Sequence, residues 1–158
     1  MKLVFKVEDR AYRIIQTVAI ILLVAMTCLF FAQTMLRFTL GIAWSWAEEL
    51  CRYMLIWAVF LESGIGVTKG VHVGFDLVSS RLHGRTQTVV YMIIQIVVIA
   101  LSTQLVRGGW TLTMQVRNQL SASLGISMAY FYSAIVVGGI LLIIFSAFNI
   151  LRKAVKAQ

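Results

Sequence analysis

Proline is missing from this chain altogether, and charge is scarce: 13% of its 158 residues are Asp, Glu, Lys or Arg, against 60% that are hydrophobic. A soluble domain carries roughly a quarter of its residues charged, so the deficit excludes that class and points to a polytopic membrane protein. Cysteine is limited to Cys28 and Cys51, which fall inside apolar runs at different depths. They are expected to be buried free thiols, with no disulfide and no redox role. The two histidines, His72 and His83, share one polar connection and do not face each other across a bundle, which argues against a haem held by a histidine pair. There is no phosphate-binding loop, no paired-carboxylate site and no nucleophile beside a base, so the sequence gives enzymatic chemistry little support. Repeats, low-complexity tracts and long linkers are also lacking, and residues 1–158 are expected to form a single membrane domain.

What is present is apolar length. Charge-free windows run over 14–36, 86–106 and 118–151, and a fourth, 53–68, is broken only by Glu62. A bilayer core takes about 20 residues of helix, so the expected fold is all-α, with four transmembrane helices at approximately 12–36, 46–68, 86–117 and 128–151. The first apolar run is too long for the h-region of a signal peptide and lacks a clear small-residue cleavage site, so it is expected to remain as helix one. Ten of the fourteen Lys and Arg residues then fall on one side: Lys2, Lys6, Arg10, Arg13, Lys69, Arg81, Arg85, Arg152, Lys153 and Lys156. That bias predicts both termini in the cytoplasm. The net charge of +8 is accordingly a signal of topology and not of nucleic-acid binding. Trp44, Trp46, Trp110, Tyr130 and Tyr132 cluster at the opposite boundary, as an aromatic belt would.

Polarity is concentrated at the start of helix two, in the run WSWAEELCRYMLIW from Trp44 to Trp57. Ser45 and Glu48 have the spacing of a capping box. Glu48 and Glu49 lie in the first turn, where the helix dipole favours carboxylates, and Arg52 is four residues beyond Glu48, the spacing of an ion pair. Further along, Glu62 is an intramembrane carboxylate, costly unless protonated, paired or hydrated. It is open to two readings: proton coupling or substrate binding on one side, a hydrogen bond to a neighbouring subunit or proximity to the inner surface on the other. Gly64, Gly66 and Gly70 beside it permit close helix approach. After helix two, residues 71–82 fit both a strand and a helical stripe; a lone strand would leave backbone groups unpaired, so a short amphipathic helix in the inner interface is expected. His72 and Asp76 share a face there, either as a polar contact to a partner or as a solvated pair, and are too few to bind a metal. Helix three is expected to continue past Arg107 through Trp110 and Met114, with a turn near Ser121 to Ser127.

These residues closely resemble the small membrane subunit of the TRAP (tripartite ATP-independent periplasmic) transporters. The resemblance covers nearly the whole chain. Its strongest part is Leu36-Arg37, then Trp46, Glu48, Glu49, Leu50, Arg52, Tyr53 and Trp57, then His72 and Asp76, with a weaker echo in Leu124-Gly125-Ile126 before Tyr130. It implies a subunit of the bacterial inner membrane with no cofactor and no substrate site of its own. Its implied partners are membrane lipids, a large membrane subunit that moves an organic acid by a sodium-driven elevator motion, and a periplasmic substrate-binding protein. Sodium coupling would reside in the large subunit. Trp46, Glu48, Glu49, Arg52, Trp57, His72 and Asp76 carry over as candidate interface or scaffold positions, and Glu62 joins them as a departure, since the family more often has a small residue there. Ser127 is a second departure, standing where proline is common, and is expected to slacken the outer turn.

Two other functions compete with a subunit role. A self-sufficient proton-coupled exporter would use Glu62, but small exporters of that kind often need opposed orientations of one chain, and the bias of ten against three (Arg37, Arg107 and Arg117, with Arg52 inside helix two) disfavours that. A membrane anchor for a redox enzyme would need histidines within the spans.

Overall fold

The computed structural model describes residues 2–68 and 85–156, with side chains over 10–66 and 89–151. His72, Asp76 and the amphipathic helix expected at 71–82 lie outside the described residues. Four helices account for nearly all of what is described: α1 (Lys2–Leu40), α2 (Ser45–Thr68), α3 (Arg85–Gln115) and α4 (Ala129–Lys156). Three contain segments long and apolar enough to cross a membrane, Arg10–Leu40, Val89–Gln115 and Ala129–Leu151. The segment α2, carrying Glu48, Glu49, Arg52 and Glu62, is not among them.

The helices outrun their apolar runs. The first was expected at about 12–36 and spans Lys2–Leu40, and the last continues to Lys156 instead of stopping near 151. Nothing in KLVFKVEDRAYR or RKAVK breaks a helix, so the backbone carries on after the apolar run, which marks only the membrane portion, has ended. At 39 residues α1 is roughly 58 Å long, about twice the thickness of a bilayer core. It ends at Gly41, whose φ of 68° is the left-handed conformation that glycine takes after a helix at no steric cost.

The helices pack in the order α1, α2, α4, α3, each touching its neighbours in that row. In the α1–α2 hairpin the Cys51 thiol lies 3.6 Å from the Met26 carbonyl oxygen. On that antiparallel register Ala19 comes opposite Ala58, and both are buried. The next pair runs parallel, because Tyr53 stacks on Phe131, Phe60 meets Gly138, and Gly64 meets Leu141. Seven residues separate Tyr53 from Phe60 and Phe131 from Gly138, the repeat of a left-handed helix pair. The outer pair, α3 and α4, is antiparallel, with Gly109 against Ile135 and Gly139 against Val106. A buried stripe on α3, Gln95, Ser102 and Gly109, has the same seven-residue step. The start of α1 and the end of α4 therefore share one end of the bundle, and the 41–44 and 116–128 connections share the other, called here the far end.

Small residues hold these seams. A Cβ on Gly64, Gly109, Gly138 or Gly139 would lie 2.7–2.8 Å from an atom of the facing helix, a β-branched methyl at Gly109 and Gly139 and a backbone carbonyl at Gly138, so these seams leave no room for a side chain without a shift. The remaining surface is apolar, with Ile21, Phe31, Phe38, Leu101 and Tyr130 among the exposed side chains. Cys51 is buried, but Cys28 is exposed on α1, contrary to expectation: a residue within an apolar run need not face a neighbouring helix. Both cysteines are free.

Candidate functional site

The far end is built from the first turns of α2 and the 116–128 connection. Its first feature corrects the capping expectation. The Trp44 carbonyl accepts the N–H groups of Ala47 (3.0 Å) and Glu48 (3.4 Å), which makes Trp44 the capping position and places Ser45 one residue inside the helix. No Ser45–Glu48 capping-box bond forms among the described residues. Glu48 instead lies 3.8 Å from Arg52, and both side chains are about two-thirds exposed. Trp44 and Trp46 stack with ring centroids 5.5 Å apart, and Trp46 stays exposed.

Glu49 does something its sequence position did not announce. One carboxylate oxygen accepts the Tyr53 hydroxyl at 2.7 Å, and the other accepts the backbone N–H of Ser123 at 2.9 Å. Tyr53 in turn lies flat on Phe131, with ring centroids 3.3 Å apart and planes 7° from parallel. A single carboxylate thus ties α2 to the connection between α3 and α4. The Glu49–Tyr53 half was legible, as four-residue spacing puts two side chains on one helix face; Ser123 and Phe131 carried no local signal.

The connection is suited to being held. Ser121 and Ile126 are joined by an N–H to carbonyl bond of 2.9 Å, and the Met128 N–H reaches the Gln119 carbonyl at the same distance. Gly125, with φ of 66°, turns the chain between them, and the buried Ser121 hydroxyl accepts the Leu124 N–H. Ser127, expected to slacken this turn, instead fastens it. Its hydroxyl donates to the Arg117 carbonyl at 2.6 Å and accepts the Ala129 N–H at 3.3 Å, so a capping hydroxyl supplies restraint where a proline would have supplied ring rigidity.

Of the remaining candidates, Trp57 is partly buried on α2, and Glu62 is partly buried with no salt bridge or hydrogen bond to another described residue. It sits between three and four turns below the Glu49 clasp, so the structure does not bring it into one site with Trp46, Glu48, Glu49 and Arg52. Sequence reasoning also passed over Gln33 and Gln95, each more than nine-tenths buried with a side-chain oxygen that has no hydrogen-bond partner.

A helical bundle of this kind, apolar over most of its surface and with its ordered polarity gathered at one end, defines a multi-pass membrane protein. Residues 26–156 match the family described as tripartite ATP-independent periplasmic transporters, DctQ component. The chain belongs to that family, whose members are small permease components of TRAP transporters in the inner membrane. It is 25% identical over 149 residues to a TRAP transporter small permease protein of Haemophilus influenzae, covering 90% of this chain and 92% of that protein. A shorter stretch of 42 residues is 40% identical to the C4-dicarboxylate TRAP transporter small permease protein DctQ of Rhodobacter capsulatus, covering 27% of this chain and 18% of that one.

Proposed function

We propose that this chain is a non-catalytic scaffold, a single domain with four spans and cytoplasmic termini, that holds the large membrane subunit of a TRAP transporter during sodium-driven uptake of an organic acid. A periplasmic binding protein delivers the acid to the assembled pair. The observation that carries this reading is the family match, which begins within α1 and ends at the last residue of α4. The fourth span is α2: its 24 residues reach about 36 Å, and it packs between α1 and α4, both long enough to cross. Apart from Glu62, the charged groups that lower its hydropathy, Glu48, Glu49 and Arg52, cluster in about its first two turns, where the boundary places them in reach of water.

Within this reading the candidate interface positions divide. Glu49 is committed inside the chain, holding the far-end connection in shape. Trp46, Glu48 and Arg52 are exposed beside it and are the groups offered to a partner. Trp57, Glu62, His72 and Asp76 are assigned to contacts with the large subunit at greater depth and at the cytoplasmic side. Cargo recognition and sodium coupling belong to the partners, and no cofactor is required of this chain.

The test is a pull-down of the tagged chain from native membranes in mild detergent, with mass spectrometry of what accompanies it. A stoichiometric large membrane protein is the expected result. Recovery of the chain only with itself would transfer the case to the exporter that uses Glu62, which proton flux in liposomes would then examine.

A further inference from the structure

Most helical hydroxyls in this chain are satisfied by their own helix. Every helical threonine whose side chain is described donates to the carbonyl four residues earlier, as Thr103 does to Ile99 at 2.8 Å. Ser63 and Ser133 do the same to carbonyls three residues earlier. Two buried serines differ, Ser146 at 0% and Ser102 at 3% exposure: neither hydroxyl bonds a described residue, and that of Ser102 belongs to a residue lining a groove. An unmatched hydroxyl among apolar groups is costly, and a partner brought to it removes that cost.

Ser102 lies on the wall of a groove where α2, α3 and α4 meet, a cavity of about 440 Å³ also lined by Ser63, Gly66, Leu101, Leu105 and Leu142. Gly66 supplies a second, independent observation. The glycines at the helix seams are there because a Cβ would collide with the facing helix, whereas a Cβ on Gly66 would meet nothing within 4 Å. Among the described residues nothing requires Gly66 to be bare, and it opens onto the same groove as the unmatched hydroxyl. Bare backbone next to a free hydroxyl is how transmembrane helices receive one another: the first admits close approach, the second offers an interhelical hydrogen bond.

We infer that this groove seats one transmembrane helix of the large partner subunit, with an apolar side chain over Gly66 and a polar side chain or carbonyl accepting from Ser102. A lipid acyl chain would fill the same space but would leave the hydroxyl unmatched. The inference rests on the subunit reading above and adds to it the place and chemistry of the contact.

The experiment co-expresses the large subunit with the wild-type chain and with Gly66→Trp, Ser102→Ala and Gly108→Trp, and measures recovery of the large subunit on the tagged chain. Gly108 is a matched control, since a Cβ there also meets nothing within 4 Å and the residue is outside the groove. Gly66→Trp is expected to lower recovery by roughly tenfold or more, the effect of overfilling a packed contact. Ser102→Ala should lower it less and Gly108→Trp hardly at all, with the yield and helicity of the chain itself unchanged. Wild-type chain that recovers no large subunit overturns the subunit reading itself. Full recovery with Gly66→Trp, or equal loss with Gly108→Trp, overturns the groove alone. So does a co-purifying phospholipid that Gly66→Trp displaces while the large subunit stays bound. Should Gly66→Trp reduce the yield of the chain, Gly66→Cys in a Cys28→Ala background, its thiol alkylated with a maleimide photo-cross-linker whose excited carbonyl inserts into a neighbouring C–H bond, replaces it: a light-dependent adduct with the large subunit supports the contact, and its absence rejects it.

Discussion

Glu49 and Ser123, 74 residues apart in the chain, meet at 2.9 Å, a carboxylate oxygen on α2 accepting a backbone N–H in the connection between α3 and α4. Through its other oxygen and Tyr53 the same side chain reaches the stacked ring of Phe131. The far end is therefore one hydrogen-bonded unit, although its parts come from two helical hairpins. Removing the carboxylate should free the connection without unfolding the bundle. In Glu49→Ala the Ser123 amide is expected to exchange hydrogen faster while amides in the middle of α2 and α4 keep their protection. Glu49→Gln, which retains an acceptor, should fall between. Uniform loss of protection across the bundle would mean that Glu49 serves global stability instead.

The Tyr53 hydroxyl and the Phe131 ring make separable contributions. Tyr53→Phe keeps the stack and loses only the bond to Glu49, so thermal stability should drop slightly. Phe131→Ala removes a buried ring and leaves a void, for which a cost of about 3 kcal/mol is typical. Thermal unfolding of the purified chain in detergent compares the two. Equal losses would show that the hydroxyl matters as much as the ring and would contradict the expected order.

Arg52 and Glu48 contrast with that pair. Their side chains are 3.8 Å apart and about two-thirds exposed, a geometry worth at most about 0.5 kcal/mol to the folded chain. Arg52→Ala should leave the melting temperature of the isolated chain within error. The scaffold reading expects the same variant to reduce complex yield or uptake, because an exposed charge with so little internal value has a partner as its remaining use. Normal assembly and normal transport in both Arg52→Ala and Glu48→Ala would remove these residues from the interface.

Much of this architecture was legible in the sequence, and the division has a physical basis. Apolar run length located the helices, since membrane thickness sets a minimum that composition must meet, and it missed the polar extensions of α1 and α4 because helix formation does not depend on being apolar. Four-residue spacing exposed the Glu48–Arg52 pair, and the same spacing was there to be read for Glu49 and Tyr53, a pair the sequence reading did not name. It could not expose the row α1, α2, α4, α3, the parallel packing of α2 on α4, or the meeting of Glu49 with Ser123, which depend on which helix faces which. The capping expectation failed by one residue: Ser45 has the right chemistry, but the chain enters the helix through the Trp44 carbonyl.

The glycines test the packing directly. A Cβ on Gly138 would lie 2.8 Å from both the Cβ and the carbonyl oxygen of Phe60, and backbone cannot swing aside as a long side chain can. Gly138→Ala must push α2 and α4 apart, at a cost of roughly 1–3 kcal/mol. Gly108→Ala, in the open on α3, should be neutral or stabilise by up to about 1 kcal/mol, since alanine favours the helix. Similar melting temperatures for the two variants would contradict the close α2–α4 contact.

Glu62 separates the scaffold from the exporter. It is partly buried on α2 and makes no salt bridge or hydrogen bond to another described residue, so a proton-coupled mechanism would have to run through its own ionisation. Glu62→Gln preserves size and hydrogen bonding and abolishes that ionisation. With the large subunit and the binding protein present, the scaffold reading expects sodium-dependent uptake by the variant to stay within about twofold of wild type, a change well under 1 kcal/mol. An exporter would lose its proton-driven flux in the same substitution, because a glutamine carries no proton to exchange. Uptake abolished in Glu62→Gln with complex yield intact would place the carboxylate in the transport cycle and end the purely structural account of this chain.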